Sequence, residues 1–167
     1  MALIQVPPAQ TGGMTLLATH TLSGATSTIS GISGSYNQLY GVIYGVTNAT
    51  ADGQFSLRCN GSTTEHTTVS YTTAAVQGLN AAIYYLMRTS TGAMTRTDAN
   101  NAFTFTISNY ASSSNYKPIT SHGIYSGSSY QAWAAGGYFS NTAITSLVFV
   151  NSGGNFSSGT VLLYGVK

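Results

Sequence analysis

The stretch Ala102-Phe-Thr-Phe-Thr-Ile-Ser108 decides the fold class of this chain. Its apolar residues Phe103, Phe105 and Ile107 alternate with small or polar ones, and a period of two places them on one face of a β-strand. Outward from this stretch, turn residues recur roughly every 8 to 12 positions from Met14 onward, which is typical of short antiparallel strands. We therefore predict an all-β fold, a jelly-roll-like antiparallel β-sandwich.

The 167 residues are enough for one domain with a sizeable core. We predict that residues 14–167 form a single β-sandwich domain and that residues 1–13 form an extended N-terminal arm. Pro7-Pro8 prevents regular pairing in the arm, and Gly12-Gly13 gives a flexible joint. Two interpretations of the arm stay open, since it either docks on a neighbour or frays. Its candidate docking residues are Leu3, Ile4, Val6, Pro7 and Pro8.

Charged side chains are scarce in this sequence. Five basic and three acidic residues make up 5% of the chain, with a net charge of +2, whereas soluble domains usually have about 25%. Mixed surface charge normally keeps monomers apart. The composition therefore predicts a surface that is covered, by copies of this chain or by a larger assembly. The basic residues are scattered, which argues against a nucleic-acid partner.

Residue patterns for catalysis or metal binding are weak. Acid–base chemistry usually needs paired carboxylates or a histidine with an orienting partner, yet Asp52 and Asp98 lie in turn sequences. His20, His66 and His122 lack the close spacing of metal ligands. The sequence has neither a Gly-x-Ser-x-Gly elbow nor a phosphate-binding loop. We therefore predict no catalytic residue, no metal site and no cofactor.

Cys59 is the single cysteine, so no disulfide can form within the chain. A strand would place it on the same face as Phe55 and Leu57, which predicts a small buried residue. No secretory signal is visible, and no stretch approaches the roughly 20 apolar residues of a membrane span. These features predict a protein without a membrane partner.

Uncharged aromatic side chains are concentrated in two regions, residues 38–46 and 125–139. Interfaces are enriched in Tyr, Trp and Phe and depleted of Lys, Glu and Asp, and aromatic rings also stack on the apolar faces of sugars. A subunit interface and a sugar-binding surface therefore both stay open, and a core position is the alternative for Trp133 and Phe139. The candidate interface or ligand residues are Tyr40, Tyr44, Tyr125, Tyr130, Trp133 and Tyr138.

Several short motifs are spread along the chain. They are Thr11-Gly-Gly-Met-Thr-Leu-Leu17, Thr21-Leu-Ser-Gly-Ala25, Ile29-Ser-Gly-Ile32, Tyr36-Asn-Gln-Leu-Tyr40, Phe55-Ser-Leu-Arg-Cys-Asn60 and Gly159-Thr-Val-Leu-Leu-Tyr-Gly-Val-Lys167. With these motifs, most of residues 11–167 resembles β-sandwich structural proteins of tailed bacteriophages. The resemblance implies a virion component without catalytic residues, of the capsid decoration or cement type or, next, a tail or fibre component.

Composition and resemblance together predict a non-enzymatic structural component of a tailed-phage virion, assembled in the host cytoplasm. Closed rotational symmetry is the usual way for one chain to cover its own apolar patches, so we expect a symmetric homo-oligomer and favour a homotrimer. The expected partners are copies of the chain and other virion proteins. The alternative is a carbohydrate-binding module at a fibre tip, with a host-surface glycan as its partner.

Overall fold

The computed structural model describes residues 13–72, 76–80, 82–87, 101–125 and 130–167. Within these ranges the chain forms twelve β-strands, and nothing there forms a helix long and apolar enough to span a membrane. The N-terminal arm, with its candidate docking residues, lies almost entirely outside the described residues. The strands are β1 Met14–Thr21, β2 Thr26–Ser30, β3 Gln38–Asn48, β4 Phe55–Cys59, β5 His66–Thr72, β6 Val76–Asn80, β7 Tyr84–Met87, β8 Asn101–Ser108, β9 Lys117–Tyr125, β10 Tyr130–Tyr138, β11 Ser146–Asn151 and β12 Phe156–Val166.

These strands form two antiparallel sheets that pack face to face. The large sheet has the order β1-β12-β3-β8-β9-β10-β5-β6, and the small sheet has the order β2-β11-β4-β7. The chain crosses from one sheet to the other at most of its connections, while β8, β9 and β10 form a meander within the large sheet. The predicted jelly-roll-like β-sandwich is confirmed. The extent of the domain and of the arm stays a prediction.

The alternating stretch that predicted the fold lies in β8 and supplies the middle of the core. Phe103, Phe105 and Ile107 are almost fully buried. Across the sandwich, the ring of Phe55 on β4 meets the ring of Phe103 edge to face, with 5.2 Å between centroids. Burial of such aromatic side chains contributes most of the hydrophobic stabilisation in a core of this kind.

Inter-sheet hydrogen bonds fix β9 and β10 against the small sheet. The Tyr84 hydroxyl on β7 donates to the carbonyl oxygen of Ala134 at 3.2 Å, and the Ser121 hydroxyl donates to the carbonyl oxygen of Leu86 at 2.8 Å. Since Ser121 and Ala134 point inward, their sequence neighbours point outward. The core therefore sets the position of the outward residues on both strands.

Candidate functional site

The outer face of the large sheet, which points away from the small sheet, brings side chains from distant parts of the chain into rows. Register places Val42 of β3 beside Thr104 of β8, Thr104 beside His122 of β9, and His122 beside Trp133 of β10. Directly opposed residues of antiparallel strands share a face of the sheet. These four residues therefore form one row across four strands.

A groove of about 610 Å³ lies on this face. Tyr44 on β3 is 47% exposed and Trp133 on β10 is 58% exposed, and they lie on its two sides. The floor between them comes from the adjacent strands β8 and β9. We call this feature the outer groove; its lining residues are Val42, Ile43, Tyr44, Ala102, Phe103, Thr104, His122, Gly123, Ile124 and Trp133.

A β-bulge in β3 positions Tyr44 at the groove. Ile43 pairs with Phe103 and Val46 pairs with Asn101, so two residues of β3 oppose one residue of β8. Gly45 supplies the left-handed backbone that such a bulge uses, with φ of 66°. The bulge therefore depends on the backbone conformation of Gly45.

Three polar side chains at the groove make no hydrogen bond among the described residues: Tyr44, Thr104 and His122. His122 instead meets the Trp133 ring at 68°, with 6.1 Å between centroids. The next row of the sheet differs, because the Thr106 and Thr120 hydroxyls bond each other at 2.6 Å. The groove therefore offers donors and acceptors to a ligand, whereas the Thr106 and Thr120 hydroxyls already have each other as partners.

Ionised side chains are missing from the outer face across the described strands. The sequences of the eight strands of the large sheet contain one charged residue, Lys117. It is fully buried, where its ammonium group donates to the carbonyl oxygen of Ser140 at 2.6 Å and its pKa is lowered by burial. Electrostatics on this face therefore comes from hydroxyl groups, imidazole and backbone dipoles.

The β1 side of the outer face carries a second apolar region. Met14 and Leu16 are 51% and 50% exposed, and they pair with Val166 and Tyr164 of β12. In the described sheet β1 is an edge strand, and it has neither the charges nor the prolines that protect natural edges, although a bulge follows Leu16. We call Met14, Leu16, Tyr164 and Val166 the edge surface.

The structure separates the six predicted surface residues. Tyr40, Tyr44 and Trp133 lie on the outer face, and the ring of Tyr40 packs at a tilt against the Tyr164 ring, with 6.4 Å between centroids. The alternative of a core position for Trp133 is wrong, and it is also wrong for Phe139, which is 46% exposed.

The prediction that Tyr138 is an interface or ligand residue is wrong, because Tyr138 is 2% exposed and belongs to the core. It lies five positions after Trp133 on β10, and an odd spacing on a strand places two side chains on opposite faces. Its ring stacks on His66 at 4.9 Å. Tyr125 and Tyr130 are backbone partners at the end of the β9–β10 pair, and their side chains lie outside the described part of the structure.

The other two histidines and the cysteine have structural positions. His20 bonds the Ser27 hydroxyl at 2.8 Å, and the Cys59 backbone N–H donates to Nε2 of buried His66 at 3.0 Å. Cys59 is buried, as predicted, and this burial raises the pKa of its thiol. Among the described residues no three His, Cys, Asp or Glu side chains come together as a candidate metal site.

Sequence reasoning missed most of the groove. Five lining residues become neighbours only through cross-strand register, and the sequence of each strand does not contain that register. They are Val42, Ala102, Thr104, His122 and Ile124. One signal was available, because alternate residues of a strand lie on the same face of the sheet. His122 and Ile124 therefore share a face, and so do Tyr40, Val42 and Tyr44. Once one inward residue of a strand is known, this alternation identifies its outward residues.

Comparison with known proteins assigns neither a family nor a function to this chain. No family model matches the chain, and no curated protein matches it. Among solved structures, the chain is similar to exo-inulinase from Aspergillus awamori, with 11% sequence identity and a TM-score of 0.46. The match covers 95% of this chain and 30% of the exo-inulinase chain. A likeness this distant says nothing about activity.

Proposed function

We propose that this chain is a non-enzymatic structural subunit of a tailed-phage particle that assembles as a symmetric oligomer, most simply a trimer. Capsid decoration or cement is the favoured role, and a tail or fibre component is the next. The observation that carries the proposal is the outer face of the large sheet, whose strands hold one charged residue, and that residue is buried. A free monomer usually needs exposed charge at such a face.

The edge surface is the contact that we assign to assembly. It combines half-exposed apolar side chains with a backbone edge of β1 that faces no other described strand. Unpaired N–H and C=O groups of an edge strand are a ready template for another chain. Gly13, the first described residue, directly precedes β1 at this edge.

Sedimentation of the purified protein tests the assembly. At about 10 µM we expect a multiple of 17.3 kDa, most simply three times that mass. Leu16→Glu places a charge on the edge surface, and we expect it to weaken association about tenfold or more, because the carboxylate would be desolvated. The control is Thr28→Glu, an exposed position on β2 of the small sheet. We expect the control to associate as the parent does.

Salt gives a second readout of the same contact. Because few charges are involved, the association constant should change less than about threefold between 0.05 and 0.5 M NaCl. A folded monomer at all concentrations, or equal association of the two Glu variants, would contradict the assembly. Antibody labelling of particles then separates the roles, since labelling over the head supports decoration and labelling at one vertex supports the tail.

A further inference from the structure

We propose that the outer groove binds an uncharged carbohydrate, a short stretch of neutral pyranose units. This inference goes beyond the structural role and does not depend on it. The groove lies on β3, β8, β9 and β10, whereas the edge surface lies on β1 and β12. Both surfaces are therefore available to be tested separately in one protein.

Shape and aromatic placement support a sugar. Tyr44 and Trp133 lie on strands separated by two intervening strands, which corresponds to about 14 Å at the usual spacing. The groove volume of about 610 Å³ is within the range of ordinary ligand sites. Tyrosine and tryptophan present an apolar ring together with a polar atom. A pyranose needs that combination, because it has apolar C–H faces and a rim of hydroxyl groups.

The polar groups of the groove match the rim of a sugar. The Tyr44 hydroxyl, the Thr104 hydroxyl and the His122 imidazole both donate and accept hydrogen bonds. None of the three is engaged in a hydrogen bond with another described residue, in contrast to the Thr106–Thr120 pair one row away. Sugar hydroxyl groups also donate and accept, so they can satisfy these atoms in either role.

The described lining disfavours other ligand classes. None of the ten described lining residues is Lys, Arg, Asp or Glu, so a phosphate, a carboxylate or a cation would find no counter-charge among them. A purely apolar ligand would cover Tyr44, Thr104 and His122 without bonding them, which is unfavourable for buried polar atoms. An uncharged polyhydroxyl ligand has neither disadvantage. A second copy of the chain is the competing occupant, and the experiment below separates it.

Tryptophan fluorescence is the first test, because Trp133 is the single tryptophan of the chain and lines the groove. The probes are neutral oligosaccharides of glucose, galactose, mannose and N-acetylglucosamine, together with dextran and its anionic counterpart dextran sulfate. We expect at least one neutral probe to shift the emission and to protect Trp133 from acrylamide quenching. Dextran sulfate should give no stronger effect than dextran.

Three results of this titration would overturn the proposal. They are no response to any neutral probe up to about 10 mM, stronger binding of dextran sulfate than of dextran, and protection of Trp133 that rises with protein concentration in the absence of sugar. The last result would assign the groove to a second copy.

Variants give the second test, by retention of the protein in gels that contain the responding polysaccharide. Trp133→Ala and Tyr44→Ala should each weaken binding roughly tenfold or more, as truncation of an aromatic contact residue does. Tyr116→Ala is the matched control, because Tyr116 is also 58% exposed but lies outside the groove. Leu16→Glu should bind sugar as the parent does. Equal loss in Tyr116→Ala and Trp133→Ala would contradict the site.

Discussion

At the scale of single residues, position 41 shows how tightly the core is specified. A Cβ atom on Gly41 would lie 2.0 Å from Cε1 of Phe105 on the adjacent strand β8. Phe105 is 1% exposed and packed against the Phe149 ring, so it has little room to move. The glycine is therefore needed for packing, since its absent side chain makes space for the aromatic ring.

Gly41→Ala should lower the free energy of unfolding by about 1–3 kcal/mol, because overpacking forces a buried ring out of its preferred position. Urea unfolding measures the change. Gly13→Ala is the control, because a Cβ there would meet no atom within 4 Å, and we expect it to stay within about 0.5 kcal/mol of the parent. If both variants unfold at the same urea concentration, the proposed clash at Phe105 is not real.

His66 is a buried titratable residue with a structural bond. Burial lowers its pKa from 6.5 to about 4; the Glu65 charge opposes this shift, and the Arg58 charge adds to it. The neutral ring accepts the Cys59 backbone N–H through Nε2, and protonation of Nε2 would remove that acceptor. The folded state therefore favours the neutral imidazole.

The lowered pKa of His66 predicts how the free energy of unfolding depends on pH. The folded-state pKa lies below the unfolded value, so the His66 contribution is complete above about pH 6.5 and is lost as the pH falls towards 4. The loss is at most on the order of 3 kcal/mol. Urea midpoints at pH 7, 5.5 and 4.5 should fall in that order. His66→Gln should flatten the decline. A decline that persists in His66→Gln would point to other groups, of which half-buried His20 is the first candidate.

At the scale of elements, the bulge of β3 links one backbone conformation to the groove. Gly45 has φ of 66°, and a Cβ there would meet no atom within 4 Å. Its requirement is thus conformational and not steric, unlike that of Gly41. Because Tyr44 and Gly45 together oppose one residue of β8, relaxation of the bulge would move the Tyr44 side chain.

Substitutions at position 45 should therefore follow backbone preference. Gly45→Asn should cost a few tenths of a kcal/mol, Gly45→Ala about 1 kcal/mol and Gly45→Val more, because asparagine tolerates the left-handed region and β-branched residues do not. Thermal unfolding midpoints measure the order. Equal midpoints for the Asn and Val variants would mean that the bulge is not held in this conformation.

The elements also show what the sequence can and cannot predict. The alternation of residues 102–108 predicted both the strand β8 and its inward face, because apolar and polar residues change places at every step. Between Trp133 and Tyr138, β10 has only Ala and Gly, so its inward face could not be read directly. The odd spacing of Trp133 and Tyr138 could still have shown that only one of them faces outward.

At the scale of the whole molecule, the sandwich fold and the outer groove have different origins in the sequence. The all-β sandwich follows from strand and turn patterns that are local in sequence, so it was predicted. The outer groove depends on which strands become neighbours, and β3, β8 and β10 are brought together by a topology that crosses between the sheets. His122 therefore could not be connected with Tyr44 or Trp133 before the register was known.

The place of β12 has a consequence for biosynthesis. This strand follows the other eleven described strands in sequence but lies between β1 and β3, and β1 has no other partner in the described sheet. β1 is synthesised about 135 residues before β12, so during translation β1 lacks its neighbour and β3 has one open side. At typical elongation rates this interval lasts on the order of ten seconds. A ribosome stalled during this interval would prolong the exposure of both edges, so slow codons there should reduce the soluble yield.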